Sequence, residues 1–516
     1  MTAKRLILSL MTFAMVFLVG ADLASSWGKP QFASRLGLYE NDLRLHTSEW
    51  QGSNAPQLAR QVNQGKPREE ALTAYQKIRD RAGKTFSQEL SQIDKLRRSA
   101  EADRVLVADQ TDRQVAKRNE QIEELTKSID KQQVAIDELD LRIGILQAVQ
   151  GNLTQAQQTW EPMLSKTNVI GKTAQSLSAL WQDPPQPGDE AILKRGLDSW
   201  FRYAALAQNY TVTQQPNQLA SLNEQEQAIA QSSVIKLGLT GGISIVSLVT
   251  GIGVLIFVIA QRALKGTDSI LGGISEIRWD VKWDWEIVWQ VLILGFFFMG
   301  QVLLPVMLGS VQSALGFTSA TMTERSRAAW ILLSYLGLAG GGIAVLYGSI
   351  KSHLPLDKNW FQFDPQAKWV RWGLGGYFAA FPMVVGISLL NQQIWQGQGG
   401  SNPILSIAAQ NHDPIALGLI FFTAAIAAPI FEETLFRGFL LPSLTRYMPT
   451  WGAILLSGFI FAIVHLSLSE VLPLMALAIV LGFVYTKTQN LMASMLLHSL
   501  WNSGTLVALF LLGGSS

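Results

Sequence analysis

The stretch Leu237-Gly-Leu-Thr-Gly-Gly-Ile-Ser-Ile-Val-Ser-Leu-Val-Thr-Gly-Ile-Gly-Val-Leu-Ile-Phe-Val-Ile-Ala260 contains no charged residue. It exceeds the roughly 20 apolar residues that a helix needs to cross bilayer hydrocarbon, so it reads as a membrane span. Toward the C-terminus, apolar runs recur at Ile287–Leu308, Ala328–Ile350, Trp369–Leu390, Pro414–Phe431, Trp451–Leu466, Val471–Tyr485 and Leu491–Leu512. The runs at Trp451 and Val471 sit near or below the spanning length, which predicts tilted, short or partly re-entrant segments. Charged residues make up only 16% of the chain and gather before about residue 230, so a soluble part precedes a membrane part. The expected fold class is all-α: a polytopic membrane helical bundle of about eight core spans. Residues 233–368 would hold the first three spans and 369–516 the rest, after an N-terminal segment (1–29) and a soluble helical domain (30–232). The net charge of +2 and the lack of a concentrated basic patch give no argument for nucleic acid. With no cysteine, disulfides, thiolate metal sites and cysteine nucleophiles are excluded.

Toward the N-terminus, Lys4 and Arg5 precede an apolar run from Leu6 to Val19 that Asp22 interrupts. This is a cleaved signal peptide or a retained anchor; the reading adopted is a retained anchor. In the soluble region Leu125, Ile129, Ile136, Leu139, Ile143 and Leu146 form a heptad seam broken at Gln132. Such a seam predicts an intramolecular helical hairpin, with Phe86, Leu90 and Ile93 as the partner face, or else an intermolecular coiled coil. Gly144, Gly151, Ala156 and Trp160 match the small-residue and aromatic spacing of a tetratricopeptide unit, in which two antiparallel helices approach closely. A protein partner for this domain is therefore expected.

Orientation follows from the basic residues. Arg262, Lys265, Arg278 and Lys282 follow the first core span, and Lys351, Lys358 and Lys368 follow the third; Arg446 and Lys487 fall on the same side. The stretches 391–413 and 467–470 carry none, and Arg325 and Arg327 are the exception. Lys4 and Arg5 give the same answer independently. Residues 30–232 are thus expected outside the cytoplasm.

Ionisable residues at membrane depth are costly and read as functional by default. The late spans carry five: Glu432, Glu433, Arg437, His465 and His498. His46, His353 and His412 lie in soluble or loop segments and take an ordinary structural reading. Glu433 and Arg437 are four apart on one helix face, while Glu432 faces about 100° away. His498 and Asn502 share a face of the last span, either as helix-bonding polar groups or as donors to an oxyanion.

The ordered trio Glu432-Glu433-x-x-x-Arg437, Phe461-x-x-x-His465 and His498-x-x-x-Asn502 resembles the CAAX-protease and bacteriocin-processing (Abi) family of intramembrane endopeptidases, which includes the type II prenyl-protein endopeptidase. The resemblance covers about residues 370–512. It implies that Glu432 and His465 activate a water, that His498 and Asn502 stabilise the oxyanion, and that Glu433 and Arg437 are structural partners. The implied partners are the lipid bilayer and a polypeptide substrate. No cofactor is expected. Two histidines and a glutamate also form a known zinc set, but His-Glu-x-x-His is missing, so the metal-free reading is preferred. The other readings are a non-catalytic membrane adaptor that binds polypeptides through its helical domain, and a transporter with a polar midplane site.

Overall fold

The computed structural model describes residues 2–29, 31–51, 66–106, 112–317, 321–366, 368–411 and 413–513, and every regular element among them is a helix. In chain order these are α1 (Ala3–Ser26), α2 (Phe32–Ser48), α3 (Pro67–Leu106), α4 (Asp112–Val149), α5 (Leu153–Trp160), α6 (Val169–Leu180), α7 (Glu190–Gly196), α8 (Ser199–Val212) and α9 (Pro216–Lys265). There follow α10 (Trp285–Ala314), α11 (Glu324–Ile350), α12 (Trp369–Trp395), α13 (Pro403–Gln410), α14 (Pro414–Leu444), α15 (Thr450–Ile463), α16 (Val471–Thr488) and α17 (Leu491–Gly513). The chain divides into two units. One holds Met1–Ala33 with Thr240–Gly514, the other Ser34–Leu239. His412 lies outside the described residues.

In the Ser34–Leu239 unit, α3 and α4 form an antiparallel hairpin. Arg79 Nε bonds Asp140 Oδ1 at 2.9 Å and Gln132 Nε2 bonds Glu89 Oε1 at 2.7 Å. The polar break in the heptad seam thus meets a polar partner. Of the expected partner face, Ile93 is buried and Leu90 is 40% exposed. Gly144 lets α4 and α5 touch: a Cβ there would overlap the Trp160 indole, whose Nε1 donates to the Leu141 carbonyl at 3.2 Å. Trp160, Trp200, Phe201 and Tyr75 fill the core between these short helices.

In the other unit, α1, α9, α10, α11, α12, α14, α16 and α17 are the eight helices among the described residues long and apolar enough to span a bilayer. The protein is a multi-pass integral membrane protein. Seven of these follow α1 in the core, and the run at Trp451 forms α15, of 14 residues, as short as its length in the sequence predicts. The run at Val471 does reach spanning length: with its preceding turn it covers 21 residues from Leu468 to Thr488, since the polar tail Thr486-Lys487-Thr488 continues the helix beyond the apolar run. The supposed loop between the fourth and fifth core spans contains α13, capped by the Asn402 side chain on the Ile404 N–H at 3.0 Å.

Hydrogen bonds gather the connections at two ends. At one, Lys282 Nζ donates to the Pro355 carbonyl at 3.0 Å, Thr450 Oγ1 to Ile277 at 2.6 Å and Asn490 Nδ2 to Asp364 at 2.8 Å. Arg5 and Lys4 pair with Glu286 at 2.7 and 2.9 Å. At the other end, the close of α1 joins the loop after α12: Gly399 N–H donates to Trp27 O at 3.2 Å, Gly400 N–H to Lys29 O at 2.9 Å, and Gln31 N–H to Gly397 O at 2.8 Å. Leu468 N–H donates to Ser26 Oγ at 3.2 Å. The exceptional Arg325 is matched there by Asp413 at 2.6 Å.

Candidate active site

The site is organised by a break in α14. Around Pro429 the helix has a π segment on each side, Thr423–Ala427 and Thr434–Leu440. Such wide turns recur at functional sites and put side chains where a regular helix would not. Proline has no N–H to give to the carbonyl four or five residues back, here Ala425 and Ala424. The last helix takes both: Ser499 Oγ donates to Ala425 O at 2.6 Å, and Asn502 Nδ2 to Ala424 O at 2.7 Å. Across the bundle, a Cβ at Gly342 of α11 would strike the Phe431 ring, so the bare glycine lets α11 approach next to the glutamate pair.

The two adjacent glutamates have different surroundings. Glu433 is fully buried, and its Oε1 accepts from Arg437 Nη1 and from His498 Nδ1, both at 2.9 Å. Arg437 is 1% exposed, lies over the Phe461 ring with Cζ at 4.5 Å from the centroid, and donates to Ala478 O at 3.3 Å. Glu432 points instead into a cavity. Its Oε1 accepts from the Tyr335 hydroxyl at 2.9 Å, and its Oε2 stands 3.8 Å from His498 Nε2, beyond hydrogen-bond length. His498 therefore sits between the two carboxylates.

His465 follows the end of α15, where Leu466 adopts φ +58°, a left-handed conformation uncommon for leucine, and turns the chain sharply away. Its Nδ1 bonds the Phe461 carbonyl at 2.8 Å. A carbonyl only accepts, so Nδ1 carries the proton and Nε2 is left with a lone pair when the ring is neutral.

Glu432, His465, His498 and Asn502 all line one cavity of about 420 Å³. Glu433 and Arg437 lie behind it. Tyr335 and Glu470 also line the cavity, with Phe296 and Leu338 from α10 and α11; sequence reading missed all four. Tyrosine in an apolar span is not flagged by a search for charge. Glu470 stands in a short connection, where it looks like a solvated loop residue, yet it accepts from Asn402 N–H at 2.8 Å. Among the described residues, no group of three His, Cys, Asp or Glu side chains is placed to hold a metal ion.

Residues 414–504, from the start of α14 into α17, match the family model for type II CAAX prenyl endopeptidase Rce1-like proteins. No curated protein and no solved structure matches the chain. The matched segment includes every residue of the glutamate, histidine and asparagine motifs, and omits Tyr335, Phe296 and Leu338, which complete the cavity.

Proposed function

We propose that this protein is an intramembrane endopeptidase of CAAX type that hydrolyses membrane-associated polypeptides with a water activated by Glu432 and His465. One observation carries the reading: a carboxylate and an imidazole nitrogen with a free lone pair share one cavity within an apolar bundle. A water there gives one hydrogen to Glu432 and the other to His465 Nε2. As its oxygen attacks the peptide carbonyl carbon, Glu432 takes the proton, and it returns that proton to the leaving amine when the C–N bond breaks. The carbonyl oxygen becomes an oxyanion that faces His498 Nε2 and the second amide hydrogen of Asn502. For Nε2 to donate, His498 must be the imidazolium. Two carboxylates, one guanidinium and one imidazolium then sum to zero charge, the balance that a buried cluster favours. Tyr335 holds Glu432 at the cavity edge, and Arg437 compensates Glu433.

The same reading assigns residues 30–232 to the extracytoplasmic side, where the hairpin and the tetratricopeptide-like pair around Gly144 and Trp160 would recruit a polypeptide. The test is cleavage of lipid-associated peptides by the detergent-purified protein. Activity absent from wild type, or undiminished in Glu432→Ala, defeats the protease assignment. A reporter fused near Gln150 that is active only in the cytoplasm should be silent; a signal reverses the orientation.

A further inference from the structure

We propose that Ser199, His46 and Glu226 form a second hydrolytic centre, in the Ser34–Leu239 unit, acting on small carboxylic esters through an acyl-Ser199 intermediate. His46 Nδ1 lies 2.7 Å from Glu226 Oε1, and His46 Nε2 lies 3.0 Å from Ser199 Oγ. The directions of these bonds follow from the groups. A carboxylate accepts, so Nδ1 donates to Glu226, Nε2 is left as acceptor, and the Ser199 hydroxyl donates to it. That is the polarity of an acid–base–nucleophile relay. His46 and Glu226 are 1% and 2% exposed, whereas Ser199 is only half-buried.

The backbone at Ser199 is a second, independent observation. Ser199 opens the 14-residue helix α8 with φ +49°. A non-glycine residue held in this region is strained, and such strain concentrates at functional positions. The helix start is also left uncapped. Asp198 occupies the capping position but makes no capping bond, because Arg142 Nη2 holds its carboxylate at 2.9 Å. The first helical bond comes from Arg202 N–H to Asp198 O, so the amides of Trp200 and Phe201 precede the ladder and sit at the positive end of the helix. Their side chains are turned into the core, which leaves little room beside the seryl oxygen and suits a small acyl group.

The chemistry balances without a cofactor. Ser199 Oγ bonds the ester carbonyl carbon while its proton passes to His46 Nε2, and the oxyanion faces the first-turn amides. The bond from carbon to the alkoxide oxygen then breaks, and His46 returns the proton to the departing alcohol. Water attacks the acyl-serine by the same route and releases the carboxylic acid. The centre is independent of the membrane site.

The experiment treats the full-length protein in detergent with a fluorophosphonate, which phosphonylates activated serines, and maps the adduct by mass spectrometry. Wild type and Glu432→Gln should label at Ser199, and Ser199→Ala should not. His46→Gln should slow labelling by roughly 10²–10⁴-fold, and Glu226→Gln, which can still accept from Nδ1, should also slow it while keeping the fold, as judged by melting temperature. 4-Nitrophenyl acetate should be turned over by wild type and not by Ser199→Ala. A folded wild type without an adduct at Ser199, or one that labels as fast after Glu226→Gln, overturns the centre. Labelling without ester turnover overturns the substrate class.

Discussion

His465 gives its Nδ1 proton to the carbonyl of Phe461, four residues earlier, at 2.8 Å. That bond settles which nitrogen of the ring faces the cavity as an acceptor. It also explains why histidine must stand at the end of a short helix: a carbonyl in the last turn has no helical N–H to receive and is free for the ring. His465→Ala should lower peptide turnover by roughly 10²–10⁴-fold per folded molecule. Near-normal turnover in a folded variant would remove His465 from the chemistry.

The two glutamates should separate by what fails first. Glu432→Gln keeps shape and can still accept from Tyr335, so folding should hold while turnover drops by roughly 10²–10⁴-fold. Glu433→Gln leaves Arg437 buried without a counter-charge, a loss of about 3–5 kcal/mol when a buried pair is broken. Its melting temperature and folded yield should fall first. The opposite pattern would exchange the roles of base and structural partner.

Ser499 and Asn502 both cap carbonyls freed at Pro429, but only Asn502 lines the cavity. Ser499→Ala should cost about 1–3 kcal/mol through an unsatisfied buried carbonyl, with turnover per folded molecule little changed. Asn502→Ala should cost comparable stability and in addition roughly 10²–10³-fold in turnover from the lost oxyanion donor. Equal kinetics for the two would leave Asn502 a purely structural group.

Exhaustive chelation should leave peptide cleavage intact, and the purified protein should lack stoichiometric zinc. Zinc lost in step with activity would convert the proposed mechanism into a metal-dependent one.

In the soluble unit, burial pushes the Asp42 carboxyl up to about 6, only partly offset by the hydrogen bond from the Tyr75 hydroxyl. The folded state thus holds this proton more tightly than the unfolded chain. The contribution is fully present below the unfolded pKa of about 3.9 and is lost as pH rises through about 6. It amounts to at most about 3 kcal/mol, and less because the side chain is half-buried. Asp42→Asn should therefore raise the melting temperature of this unit at pH 8 and flatten its dependence between pH 4 and 7. An unchanged or lowered melting temperature at pH 8 would show that Asp42 is not penalised by burial.

Much of the membrane unit was legible because hydrocarbon imposes a length and a composition on any helix that crosses it. Glu432, His465, His498 and Asn502 stood out since polar groups at depth are rare, and they do line one cavity. Their individual bonds were not legible. The contact between His498 and Glu433 depends on the turn of α14 around Pro429, and helix periodicity assumes regular turns. Tyr335 was hidden by its aromatic, half-apolar character. The shortness of the helix at Trp451 was legible in the length of its run; its end was not, because the apolar residues Val464 and Leu466 continue past the last helical turn. The partner of His46 was not legible, because Glu226 stands far off in the chain.

The close of α1 is bonded to the loop 397–400 and, through Ser26, to Leu468, 442 residues further along the chain. The wall of the cavity formed by Asn402, Ile404 and Glu470 hangs on the same strip of backbone. During synthesis the first helix is made hundreds of residues before its partners emerge, and waits in the bilayer for them. The cavity is thus closed only when translation is nearly finished. A nascent chain therefore lacks the completed cavity, and a chain trimmed of its leading helix would lose the piece that holds this wall in shape.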